Sequence, residues 1–175
     1  LLPYYMQPSI EAMAKFTVKN YITALHFPKV TDAIKNSILL GLGSASAVML
    51  LTLFASWLLV RTKMRGRWLL DLLTTLPLLF PGIVMGLAIL RFYLFVPIPV
   101  YGTLWILLIA FVTRYIPYGI RYTHSALLQL HKELEEASYV SGASWFNSMR
   151  RIVVPLITPS FLGGWVFIFL LSAKE

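Results

Sequence analysis

No charged side chain interrupts residues 36–60. A helix of about 20 apolar residues crosses a hydrocarbon core of about 30 Å, and in lipid only a helix or a closed barrel satisfies its own backbone groups. The run is long enough to do this, and similar runs follow at 69–90, 103–120 and 152–173. The pattern predicts an all-α integral membrane protein with about four spans, at 34–60, 69–90, 103–120 and 152–173. Composition points the same way. The chain is 58% hydrophobic and only 13% charged, against about 25% charged in soluble domains. A soluble fold of 175 residues leaves about a third of its surface wet and has nowhere to hide so much apolar area.

The net charge is +8, but the basic residues are not spread as a nucleic-acid footprint. They gather at the ends of the apolar runs. Arg61, Lys63, Arg65 and Arg67 follow the first, and Arg121, Lys132, Arg150 and Arg151 flank the segment between the third and fourth. The connection between the second and third, with its Pro-punctuated "VPIPVYG", holds only Arg91. Basic loops stay in the cytoplasm, so both basic segments are placed inside and residues 1–33 outside. That first segment, with Pro3, Pro8, Pro28, Lys15, Lys19 and Lys29, has no sustained period, and Thr31-Asp32 offers N-cap chemistry for the first span. The chain has no Cys, which removes disulfide and thiol chemistry.

Within the spans, "GLGSASA" at 41–47 supplies small residues for close helix packing rather than a phosphate loop, since no strand precedes it. Pro77, Pro81 and Gly82 should break the second span, and irregular backbone at that depth must be buried by protein or face a wet cavity. Asp71 is expected in that helix's first turn, where a carboxylate suits the helix dipole. Arg114 is expected to snorkel toward the second basic loop or to pack between helices, rather than to act on a substrate. His26, His124 and His131 lack metal-ligand spacing, and no metal site or cofactor is expected.

The segment 121–151 is the most polar part of the chain. Leu127, Leu130, Leu134 and Ala137 form one helical stripe; Trp145, Met149, Ile152 and Val153 form another. Gly142 can end the first helix in a left-handed conformation and Ser144 can cap the second. Such a helix-elbow-helix either seats in a groove of a soluble partner or lies flat on lipid headgroups.

Glu136-Ala137-Ser138, then Gly142, then Ile152 and Val154-Pro155, resembles the EAA loop of binding-protein-dependent ATP-binding cassette importer permeases. Ser138 and Val154 depart conservatively from the family's Ala and Leu. The stretches "NYITAL", "AIKNSILLG", "LPLLFPGIVMGLA" and "RYIPYGIR" look like the type I permease core, nearest the ferric-iron subfamily, with polyamine and phosphonate importers close by. The resemblance implies a permease subunit in a bacterial inner membrane, with a further helix before and after this chain. It also implies, as partners, cytoplasmic ATPase subunits, a periplasmic or extracellular substrate-binding protein and a second permease half or subunit. Glu136, Ala137, Ser138 and Gly142 are then expected to contact the ATPase, and Ile152 and Pro155 to set the return into the last span. Pro81 and Gly82 are expected along the translocation path, with ferric iron a candidate cargo. The chain has no Gly-x-x-x-x-Gly-Lys-Ser/Thr segment, so ATP hydrolysis is expected on a partner and not here. The alternatives are an ion-driven transporter or channel, which needs paired intramembrane acids or a charged ring, and an intramembrane enzyme, which needs a nucleophile or acid pair within a span.

Overall fold

The computed structural model describes residues 18–96 and 102–175. The expectations for 1–17, including Pro3, Pro8 and Lys15, and for 97–101 lie outside the described residues. The chain divides into two compact units, Leu1–Ile38 and Leu39–Glu175. In the first, α1 (Lys19–Leu25) ends where His26 Nδ1 approaches the Ile22 carbonyl at 2.7 Å. Next, α2 (Pro28–Arg61) begins at Pro28, ahead of the expected cap at Thr31-Asp32. Proline suits that position because its missing N–H would have no helical partner anyway. Thr31 instead donates its hydroxyl to the Leu25 carbonyl at 3.4 Å.

The second unit is built on three long helices: the remainder of α2, α5 (Leu104–Gln129) and α8 (Val154–Ala173). Their apolar core joins Ala45, Val48 and Met49 of α2 to Tyr115 of α5 and Ile168 of α8. Lipid offers no hydrophobic drive between helices, so contact depends on close packing and interhelical hydrogen bonds. Gly119 and Gly164 make the approach possible. A Cβ on Gly119 would lie 2.7 Å from Val48, and one on Gly164 would lie 2.9 Å from Met49. Buried hydroxyls add the polar contacts: Ser44 donates to Ser172 at 2.8 Å, and Ser56 and Thr123 meet at 2.7 Å. Trp165 Nε1 donates to Ser46 at 3.1 Å. The small residues of 41–47 therefore do pack helices, Gly41 against Phe169 and Gly43 against Leu108.

These contacts fix direction. Val48 and Thr52 lie against Gly119, Ser56 against Thr123, and Arg61 at the Leu130 carbonyl. Numbers rise together, so α2 and α5 run parallel. Ser44 meets Ser172, whereas Trp57 meets Trp145, so α8 runs the other way. Two successive parallel crossings require the intervening chain to travel back. That segment is α3 (Arg67–Thr75), a 3₁₀ turn (Leu76–Leu79) and α4 (Gly82–Phe95), bent by 112° at the break. The 14 residues of α4 extend about 21 Å, too short to cross alone. The bent pair thus serves as one broken span rather than a hairpin returning to its own side, which makes four crossings among the described residues, where three unbroken helices qualify by length and hydropathy. The break is local in origin. Pro81 forces Phe80 into extended backbone (φ −106°, ψ 134°), which ends the first arm.

One expectation is corrected and two positions gain detail. Helix α3 starts at Arg67, after Gly66 in left-handed conformation (φ 95°), so Asp71 falls in the second turn and the first turn holds no acid. Helix α5 continues to Gln129, well beyond residue 120. Arg114 packs between helices, one of the two placements expected for it: its guanidinium lies 3.0 Å from where a Cβ on Gly82 would be, with Glu175 at 3.6 Å and the Tyr115 ring at 5.8 Å.

Candidate functional site

Beyond α5 the chain turns at Leu130 and enters α6 (Lys132–Val140), capped by extended His131. The end of α6 is a Schellman closure. Ala143 N–H donates to the Ser138 carbonyl at 3.1 Å and Gly142 N–H to the Tyr139 carbonyl at 2.9 Å. That closure requires a left-handed residue, and Gly142 supplies it at φ 82°. Ser144 then caps α7 (Trp145–Ser148), its Oγ accepting from Asn147 N–H at 3.4 Å. Both local expectations for the elbow hold.

The second helix is not separate from the last span. One π-turn (Met149–Val153) joins α7 directly to α8, and Val154 N–H donates to the Met149 carbonyl, five residues back. The cause lies next door: Pro155 has no N–H and its ring would crowd the Arg151 carbonyl in a regular α-turn. Leu127, Leu130, Val153 and Ile157 form the buried floor beneath the elbow, with Leu53, Trp57, Val60 and Met149 packed on it. Trp57 meets Trp145 edge-on at 6.4 Å.

The expected apolar stripe on α6 is corrected. Leu134 is 45% exposed and Ala137 is exposed, whereas Glu135 and Ser138 are buried. The break at Leu130 starts a new helix axis, so a period counted from Leu127 does not carry across it. Glu135 is buried because Arg61, at the end of α2, reaches it. Arg61 Nη2 lies 2.8 Å from Glu135 Oε1 and donates to the Leu130 carbonyl at 2.8 Å. The two side chains are only 8% and 11% exposed. By distance this is an ion pair. It is not an aligned hydrogen bond, and among protein atoms Arg61 Nε and Glu135 Oε1 find no other partner.

The residues singled out from sequence fall in three places. Glu136, Ala137 and Gly142 are exposed on the elbow, with Ser138 turned inward beside them. Ile152 lies half-buried in the π-turn, and Pro155 is exposed in the first turn of α8. Pro81 caps α4, its carbonyl accepting from Val84 and Met85, and Gly82 underlies Arg114. Sequence reasoning missed Arg61 and Glu135. The signal available was the three-residue spacing of Glu135 and Ser138, outweighed by the more hydrophobic Leu134.

A groove of about 340 Å³ beside the elbow is lined by Trp57, Lys132, Glu135, Glu136, Tyr139 and Trp145, with Arg61 at its base. A second cavity, of about 360 Å³, is bounded by Leu59, Arg67, Trp68, Asp71 and His124. Among the described residues no group of three or more His, Cys, Asp or Glu side chains is placed to hold a metal ion.

Comparison with known proteins gives the chain's family and fold. The spermidine/putrescine transport system permease protein PotC of Escherichia coli is 27% identical over 160 residues, covering 91% of this chain and 60% of that protein. A putative ferric transport system permease protein, FbpB 1 of Haemophilus influenzae, is 33% identical over 158 residues, covering 87% of this chain and 25% of its own. The sulfate transport system permease protein CysT of Salmonella typhimurium is 27% identical over 187 residues, covering 100% and 66%. The chain thus spans 60% and 25% of the first two relatives' length, under two thirds of each. An inward-facing structure of the MetNI methionine ABC transporter superposes with a TM-score of 0.68 at 16% identity, over 82% of this chain and 69% of that one, and so shares the fold. The sequence model of the binding-protein-dependent transport system inner membrane component matches residues 23–175, and this chain belongs to that family.

Proposed function

We propose that the chain is part of a permease subunit of an ATP-binding cassette importer, and that residues 130–151 are the handle on which a cytoplasmic ATPase pulls. The observation that carries this is the Gly142 closure: a rigid, exposed elbow held directly between α5 and α8. Glu136, Ala137 and Gly142 are exposed there for contact with the ATPase, with Ser138 supporting them from beneath. Ile152 and Pro155 set the π-turn through which the elbow enters α8. The basic residues at 61–67 and 121–151 support a cytoplasmic elbow on a protein of the bacterial inner membrane. The break at Pro81 and Gly82 lies along the path that two permease halves enclose, and an extracytoplasmic binding protein delivers the cargo. ATP is hydrolysed by the partner.

Names among the relatives span ferric, polyamine and sulfate transport. Ferric iron is the cargo we put forward, supported by the 33% identity to FbpB 1. The test is vanadate-sensitive uptake into vesicles holding the full-length protein with its ATPase, assayed against ferric ion, spermidine and sulfate. Ferric uptake alone is expected. Spermidine or sulfate uptake would replace the cargo assignment, and uptake insensitive to vanadate, with no ATPase co-purifying, would overturn the importer reading.

A further inference from the structure

We propose that Arg61 is a positioning residue that makes α2 and the elbow helix α6 move as one body. The chain itself ties the elbow only to α5, through Leu130 and His131, and to α8, through the π-turn. Helix α2 has no covalent link to it; its last residue nevertheless reaches across to two points of the elbow with a single nitrogen. Arg61 Nη2 holds the Leu130 carbonyl, where α5 ends, and the Glu135 carboxylate, one turn into α6, each at 2.8 Å. Trp57, one turn earlier on α2, lies edge-on to Trp145 on the far leg of the elbow. The end of α2 therefore touches both legs, by charge on one side and by an aromatic ring on the other.

Burial makes the charged contact strong enough to pull. With both side chains nearly out of solvent, screening is weak, and separating the pair leaves an uncompensated buried charge on each helix. The two therefore travel together. The inference rests on the elbow's being the ATPase handle, and it adds a third crossing helix to what the handle drives. It also places α2, whose Ser44 holds Ser172 on α8 and whose Ser56 holds Thr123 on α5, at the centre of the moving unit rather than at its edge.

Site-directed spin labelling tests this in the complete transporter, with the full-length chain, its ATPase and lipid nanodiscs, any cysteine outside residues 1–175 being replaced first. Spin labels at Leu51→Cys on α2 and Glu133→Cys on α6, both exposed positions, report the separation of the two helices without and with ADP–vanadate. In the Arg61-containing protein the distance should hold within about 2 Å between the two states, the scale of small helix adjustments. With Arg61→Met it should shift or broaden on vanadate trapping. Transport per ATP hydrolysed should then fall at least about tenfold, with ATPase co-purification unchanged, as expected when a coupling contact is lost but docking is kept. Arg61→Lys, which retains a charge for Glu135, should recover much of the coupling. A distance that changes between states with Arg61 present would overturn the proposal, as would one that stays fixed in Arg61→Met or normal coupling in that variant. Failure of any ATPase to co-purify with the unaltered protein would instead strike the importer reading beneath it.

Discussion

Two glycines show how differently single residues constrain this molecule. Around Gly142 an added Cβ meets nothing within 4 Å, so the demand there is purely conformational. A left-handed L-residue costs about 1–2 kcal/mol, with a β-branched one worse. Gly142→Val is expected to open the Schellman closure and abolish transport while the protein still inserts and purifies. Transport and ATPase co-purification that both survive would remove the coupling role. Gly119 is the opposite case, with ordinary helical backbone but Val48 and Thr52 within 3 Å of any Cβ. Gly119→Leu should force α2 and α5 apart and lower the thermal midpoint in detergent, whereas Gly86→Ala, inside α4 with open space around it, should hold or raise it, since Ala favours a helix over Gly. The Gly142 constraint was legible in the sequence, because a glycine between two helical stripes announces a cap. The Gly119 constraint was not, because it depends on which helix lies opposite.

At the level of elements, the apolar runs were readable because a membrane-crossing helix must be long and uncharged. Their ends were less so. Helix α5 continues past Arg121 and His124, since a helix leaving lipid keeps its hydrogen bonds in water and polar residues do not stop it. The α6 stripe failed for a related reason: a buried charge pair, invisible to a hydrophobic period, chose the inward face. Buried polar contacts recur between the long helices. Thr123 Oγ1 lies 2.7 Å from Ser56 Oγ and 3.1 Å from the Thr52 carbonyl. Thr123→Val keeps the shape and removes both, so it should lower stability by about 1 kcal/mol, within the range for interhelical hydrogen bonds in membranes. Chemical or thermal unfolding in micelles would measure the loss, and no change would mean that Ser56 finds another acceptor.

For the molecule as a whole, the broken second span was legible from Pro77, Pro81 and Gly82, but the partners of Arg114 beside it were not, because sequence distance along α5 said nothing of α4 across the gap. Parallel α2 and α5 place residues 103 and 141 at opposite ends of the bundle. With the sidedness argued from the basic loops, Thr103→Cys should react with an impermeant maleimide from outside intact cells, and Ser141→Cys only after permeabilisation. Labelling of both from one side would contradict the crossing pattern. The π-turn carries a last consequence. A π-turn holds one residue more than an α-turn, and each residue in a helix advances the azimuth by about 100°. The compass heading of the elbow about the α8 axis is thus set by a single surplus amino acid between Met149 and Val153. Delete it, and the exposed side chains of the elbow, Glu136 and Ala137 among them, would face a quarter-turn or more away from their present heading.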